Sequence, residues 1–239
     1  MRPGPVLLRA LLAVASAGVA AAQPAPAIVA AEYLEPTGRY PHGVLGDDLE
    51  WGALRITRAD GTAVLLRLPE ARVFEDIAPR VADVTGDGRA EVVVVESDAA
   101  LGARLSILDG AGEPVAATPH IGTRFRWLAP VGIADMDGDG HVEIGYVDRP
   151  HLAKVLRVWR YRDGALEEVA SAGGLTNHRI GEADIGGGLR TCGGTVEMIT
   201  ASADWSRVIA TRLTDGGRLE SRDMGAHRDR ESLSAAMRC

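Results

Sequence analysis

Two nine-residue stretches crowd acidic side chains at matched positions: Asp83-Val84-Thr85-Gly86-Asp87-Gly88-Arg89-Ala90-Glu91 and Asp135-Met136-Asp137-Gly138-Asp139-Gly140-His141-Val142-Glu143. Oxygen-bearing side chains fall at positions one, three, five and nine, with glycine at six. Alternate side chains of a tight loop converge on one point, and calcium takes six to eight oxygens at about 2.3–2.6 Å. The glycine permits the sharp turn, and the carbonyl of Arg89 or His141 at position seven would add a ligand. Carboxylates packed this closely repel one another until a cation joins them, so binding should help the loops fold. Two Ca2+ sites are therefore expected, one on Asp83, Thr85, Asp87, Arg89 and Glu91, the other on Asp135, Asp137, Asp139, His141 and Glu143. An EF-hand would place a glutamate at position twelve, where this chain has Val94 and Tyr146. The competing reading is a plain Asp-Gly turn that binds nothing.

The loops recur within a longer period. Asp-Gly turns after short apolar runs stand at Asp60, Asp109, Asp163 and Asp215, spaced by 49, 54 and 52 residues. Ala82-Asp83, Ala134-Asp135 and Ala183-Asp184 repeat upstream of three of them, each followed by glycines and then by Glu91, Glu143 or Glu197. A period near fifty points to propellers, solenoids or arrays. The fourth unit has Gly186 and Gly188 where the acids stood, and the first has only His42 at the corresponding place, so neither is expected to hold calcium. Short runs rich in Val, Ile and Leu predict strands at 92–96, 104–108, 142–147, 154–161, 196–201 and 208–213. Helix is expected only in the tail, at 229–237. The predicted class is all-β.

Residues 1–22 read as a signal peptide, with Arg2 and Arg9 ahead of or within an apolar run that ends in Ala20-Ala21-Ala22. Ala10 to Ala22 is 13 residues, whereas a membrane span needs about 20. A periplasmic or secreted protein follows, with no membrane insertion after the leader is removed. Residues 23–36 read as a linker or closing strand, 37–228 as the repeats and 229–239 as a tail. Loss of the leader would leave 24 basic against 33 acidic residues, a balance that argues against nucleic acid as a partner. Cys192 and Cys239 are either a disulfide formed in an oxidising compartment or two free thiols.

The loops, each followed by an apolar strand, resemble the FG-GAP repeats of integrin α subunits and the similar VCBS-type repeats of bacterial proteins. The words that name the family are missing, the corresponding segments being Phe125-Arg126-Trp127 and Gly145-Tyr146-Val147. The resemblance implies a β-propeller of four-stranded blades with calcium in a loop between strands. About four blades of about fifty residues are expected, closed by pairing Ala27 to Tyr33 with the last blade; the alternative is an open β-repeat array.

For function, the resemblance implies a non-enzymatic module that binds a protein or glycan. A hydrolase or lyase on the same scaffold is the alternative. The six histidines (42, 120, 141, 151, 178 and 227) show no short metal-binding spacing, and no Gly-x-Ser-x-Gly turn occurs. A structural subunit of an envelope assembly is a further alternative, on which Trp51, Trp127, Trp159 and Trp205 bear either as contact residues or as filling between blades.

Overall fold

The computed structural model describes Met1 and residues 26–239, so the leader expected at 1–22 lies outside the described residues. Seventeen strands and one short helix are present there. The first unit contains β1 (Ile28–Thr37), β2 (Glu50–Arg58) and β3 (Ala63–Arg67), with β2 flanked by the other two. The second contains β4 (Arg72–Phe74), β5 (Arg80–Ala82), β6 (Glu91–Asp98), β7 (Gly102–Leu108) and β8 (Pro114–Ala117). A bridge between Trp51 and Phe74 joins β2 to β4, so these two units share an eight-stranded sheet. The third unit is a four-stranded antiparallel sheet of β9 (Leu128–Ala134), β10 (Glu143–Asp148), β11 (Val155–Arg162) and β12 (Ala165–Gly173). The fourth contains β13 (Leu175–Thr176), β14 (Gly188–Cys192), β15 (Thr195–Ser202), β16 (Arg207–Leu213) and β17 (Leu219–Ala226), and is followed by α1 (Arg230–Ala236).

One plan repeats. The loop glutamate (Glu91, Glu143 or, displaced in the fourth unit, Glu197) leads into or lies within a central strand, β6, β10 or β15, which pairs backwards with the strand or strands before it and forwards with the next. The backward partner is split into β4 and β5 on β6, and into β13 and β14 on β15. On β10 it is continuous but bulged near Pro130, whose missing N–H suits an edge strand with a bulge.

Burial explains the apolar runs. Every residue of β10 is buried, as is all of β6 except Asp98, which suits strands covered on both faces. Side chains of period two send Val92 and Val94 to a cluster with Leu54, Ile56 and Phe74, while Val93 and Val95 join Ile144, Tyr146 and Trp159 of the third unit. Met198 packs with Val147 and Leu156 of the third unit. Ile199 and Ala201 turn the other way, onto Leu233 of α1. The helix thus covers the outer face of the fourth unit where a further sheet would otherwise sit. Asp229 caps it by accepting from Ser232 N at 3.1 Å. Outermost strands such as β17 are largely exposed.

Two expectations change. The N-terminal segment pairs with β2 along its length and not with the last unit, because its register matches Glu50–Arg58. The first and last units share no strand ladder; they touch through a loop, where Gly181 N donates to Val44 O at 3.0 Å. Cys192 and Cys239 form a disulfide with Cα atoms 5.7 Å apart, tying the tail to β14. Among the described residues no helix is long and apolar enough to cross a membrane.

Candidate functional site

The two acidic loops have one geometry. Asp83 Oδ1 and Oδ2 accept from Gly86 N at 2.8 Å and Gly88 N at 2.9 Å; Asp135 does the same with Gly138 N at 2.7 Å and Gly140 N at 2.9 Å. Asp87 and Asp139 accept from the N–H groups of Arg89 and His141 at 2.8 and 2.9 Å. Glu91 Oε2 accepts from Val84 N at 2.9 Å and its Oε1 from Thr85 Oγ1 at 3.1 Å, while Glu143 Oε2 accepts from Met136 N at 2.8 Å. Gly88 and Gly140 hold φ of 83° and 88° with open space where a Cβ would sit, so backbone conformation and not crowding selects glycine. The carboxylates converge closely in the third unit, on Asp135, Asp137 and Glu143, whereas Asp83, Asp87 and Glu91 of the second unit do not come as near one another.

In the third unit, Asp135, Asp137 and Glu143 offer oxygens that all lie within 4.8 Å of one another. The Asp137 side chain is 2% exposed, and its Oδ1 has no hydrogen-bond partner. A buried carboxylate oxygen left unpaired is costly, so this atom asks for a cation. Burial also pushes the Glu143 carboxyl upward. Arg160 supplies part of the countercharge, at 2.7 Å from Asp137 Oδ2, 2.8 Å from Asp139 Oδ2 and 2.5 Å from Glu143 Oε1. One guanidinium faces three carboxylates, with Asp135 beside them, an excess that a divalent ion fits. The loop borders a groove of about 450 Å3 shared with Gly194, Thr195 and Arg212, which leaves a route for an ion.

In the second unit, the residue that follows β7 is Asp109, whose carboxylate accepts from Ala111 N and Glu113 N at 2.8 and 2.9 Å. No arginine stands there as Arg160 does. In the fourth unit Asp184 is exposed and paired with Arg230, while Glu197 is held by Arg190 and Arg222. Hydrogen bonds from Arg222, then Arg190, hold Glu197 below the usual carboxylate range.

A second cluster escaped sequence reasoning. His42 Nδ1 meets the fully buried Glu75 Oε1, and Ser97 Oγ donates to Glu75 Oε2. Trp127 Nε1 donates to the Glu75 carbonyl at 2.7 Å. His151 Nε2 lies 2.9 Å from His178 Nδ1, and His178 Nε2 lies 2.8 Å from Glu182 O. Burial, with His178 next, pushes His151 down to about 4; burial lifts Glu75, opposed by His42. These residues are separated by tens of positions, so no sequence spacing signalled them; only the topology assembles them.

The fold and loops together define a class, a β-repeat protein with carboxylate-rich turns opening its central strands. Residues 78–146 match the FG-GAP-like repeat family. No curated protein matches the chain. Among solved structures, it is similar to the exotype rhamnogalacturonan lyase YesX, with TM-score 0.47 and 17% identity over 77% of this chain and 43% of that one. It is also similar to the rhamnogalacturonan lyase YesW, with TM-score 0.43 and 14% identity over 76% of this chain and 43% of that one. The chain spans less than half the length of either.

Proposed function

We propose that this chain is an exported, calcium-stiffened module of four propeller-type units, arranged as an open arc, that captures a protein or glycan without chemical turnover. The unpaired Asp137 Oδ1 among converging carboxylates is the observation that carries the calcium reading. Asp135, Asp137, Asp139 and Glu143 would hold one ion and Asp83, Thr85, Asp87 and Glu91 a second, with the carbonyls of His141 and Arg89 completing the sets. Bound calcium neutralises each loop and fixes the approach of β10 and β6. The open arc is supported by the lack of strand pairing between its end units, which meet through the loop contact of Gly181 with Val44, and by α1, which lies on the fourth unit. Export is supported by the disulfide, which suits an oxidising compartment. Calorimetric titration with calcium tests the reading. Two sites are expected, each raising the melting temperature by about 5–10 °C at a hundredfold excess over its Kd. No binding, and a melt unmoved by a chelator, overturns it.

A further inference from the structure

We propose that the cleft of about 190 Å3 lined by His42, Phe125, Arg126, Trp127, His151 and Ile180 is a binding site for a hydroxylated carboxylic acid with an apolar ring face, of which a uronic acid is the simplest form. This inference rests on the binding-module reading and names its ligand.

The hydrogen-bond chain fixes the polarity of one wall. The Glu182 carbonyl can only accept, so His178 Nε2 carries a proton and donates to it. His178 Nδ1 is then an acceptor, which makes His151 Nε2 the donor between the rings. His151 Nδ1 is left with a lone pair and no partner among the described residues, and it can take only a donor such as a hydroxyl. The depressed basicity of His151 agrees with an imidazole that stays neutral. On the opposite wall, His42 has its Nδ1 anchored on Glu75 and its ring stacked on Phe125, with centroids 5.1 Å apart. Its Nε2 has no partner among the described residues. Orientation of an imidazole by a buried carboxylate is the arrangement proteins use where the other nitrogen must meet a ligand.

Charge selects the acid. The whole chain carries a formal −7, yet Arg126, which lines the cleft, and Arg124, over the Phe125 ring, have no carboxylate partner among the described residues. Arg126 gives one side-chain hydrogen bond, to Phe125 O at 2.9 Å, and Arg124 lies 4.4 Å from the Phe125 ring centroid. A local cationic spot on an acidic protein attracts an anion, and a guanidinium matches a carboxylate in two-point contact. The rim is apolar: Leu152 and Ile180 are 63% and 69% exposed there. Phe125 holds φ of 57° and Arg149 φ of 46°, conformations that L-residues adopt at a cost and that gather at ligand sites.

The cleft stands away from the calcium loops. Strand β10 leaves its loop at Glu143 and reaches the cleft side at Asp148, about 17 Å away at strand rise. The two sites can therefore be disabled one at a time.

The test is calorimetric titration of the full chain with D-glucuronate, with D-glucose as the neutral control and calcium titrated into the same preparation. Glucuronate is expected to bind and glucose to bind at least about tenfold more weakly. Arg126→Gln and His151→Phe are each expected to weaken glucuronate by about tenfold while leaving calcium binding unchanged. Arg126→Gln removes no fold-bearing contact beyond one turn hydrogen bond, so it keeps the test open if His151→Phe fails to fold. Calcium binding without glucuronate binding overturns this inference and leaves the module reading standing. Glucuronate binding without calcium binding upholds this inference and the binding module and overturns only the calcium part of that reading. Equal affinity for glucose, or affinity indifferent to Arg126→Gln, also overturns it.

Discussion

The third and fourth units open their long strands with the same residue and balance its charge in opposite ways. Glu143 begins β10 beside Asp135, Asp137 and Asp139, and one guanidinium, Arg160, pairs with Asp137, Asp139 and Glu143. Glu197 lies in β15 beside Gly186 and Gly188, and two guanidiniums, Arg190 and Arg222, grip it. The backbone plan is shared, so the acids at positions three and five decide whether a unit is left with more carboxylates than its arginines balance. Where they are lost, arginines on neighbouring strands brace the glutamate, and a disulfide and a capping helix add to the hold on that unit.

Four experiments break or sharpen this comparison. The largest effect is expected from Cys239→Ser, which opens a loop of 47 residues and should cost about 4 kcal/mol by denaturant unfolding, equally with and without calcium. Glu197→Ala should follow at about 3 kcal/mol, because the nearly buried Arg190 loses its partner. A calcium-dependent loss at Glu197 would show that the fourth unit also uses the metal. Asp137→Asn should erase about 2–3 kcal/mol of the stabilisation that saturating calcium adds, leaving the chelated protein nearly unchanged. Calcium binding at undiminished stoichiometry would remove Asp137 from the ligand set.

The smallest effect is acid sensitivity. Glu197 titrates lower in the folded chain than its ordinary 4.5, so its brace is complete above that value and is lost as pH falls through the folded one. Melts in chelator from pH 5 to pH 2 should show this loss, and Glu197→Ala should abolish that part of it.

Local order was largely readable in the residues. The strands expected at 92–96 and 208–213 lie within β6 and β16, and the tail helix begins one residue after its Asp229 cap. Loop geometry was legible for the same reason: glycine at a left-handed position and acids at alternate positions act over nine residues, a range that spacing can report. The pairing of β1 was not, since a strand of that pattern fits several edges and only the register against Glu50–Arg58 chooses one. Histidines at 42, 151 and 178 gave no signal, because their meeting depends on how loops from four units crowd together.

The amino-acid sequence by itself determined the all-β class, the fifty-residue period and the two carboxylate loops, all of which follow from short-range chemistry. Tertiary structure alone decided that β1 pairs with β2, that Arg160 faces the third loop, and that His42, Glu75, His151 and His178 gather at one cleft. Each of those depends on contacts between residues far apart in the chain, which form only once the apolar faces of successive sheets have packed together.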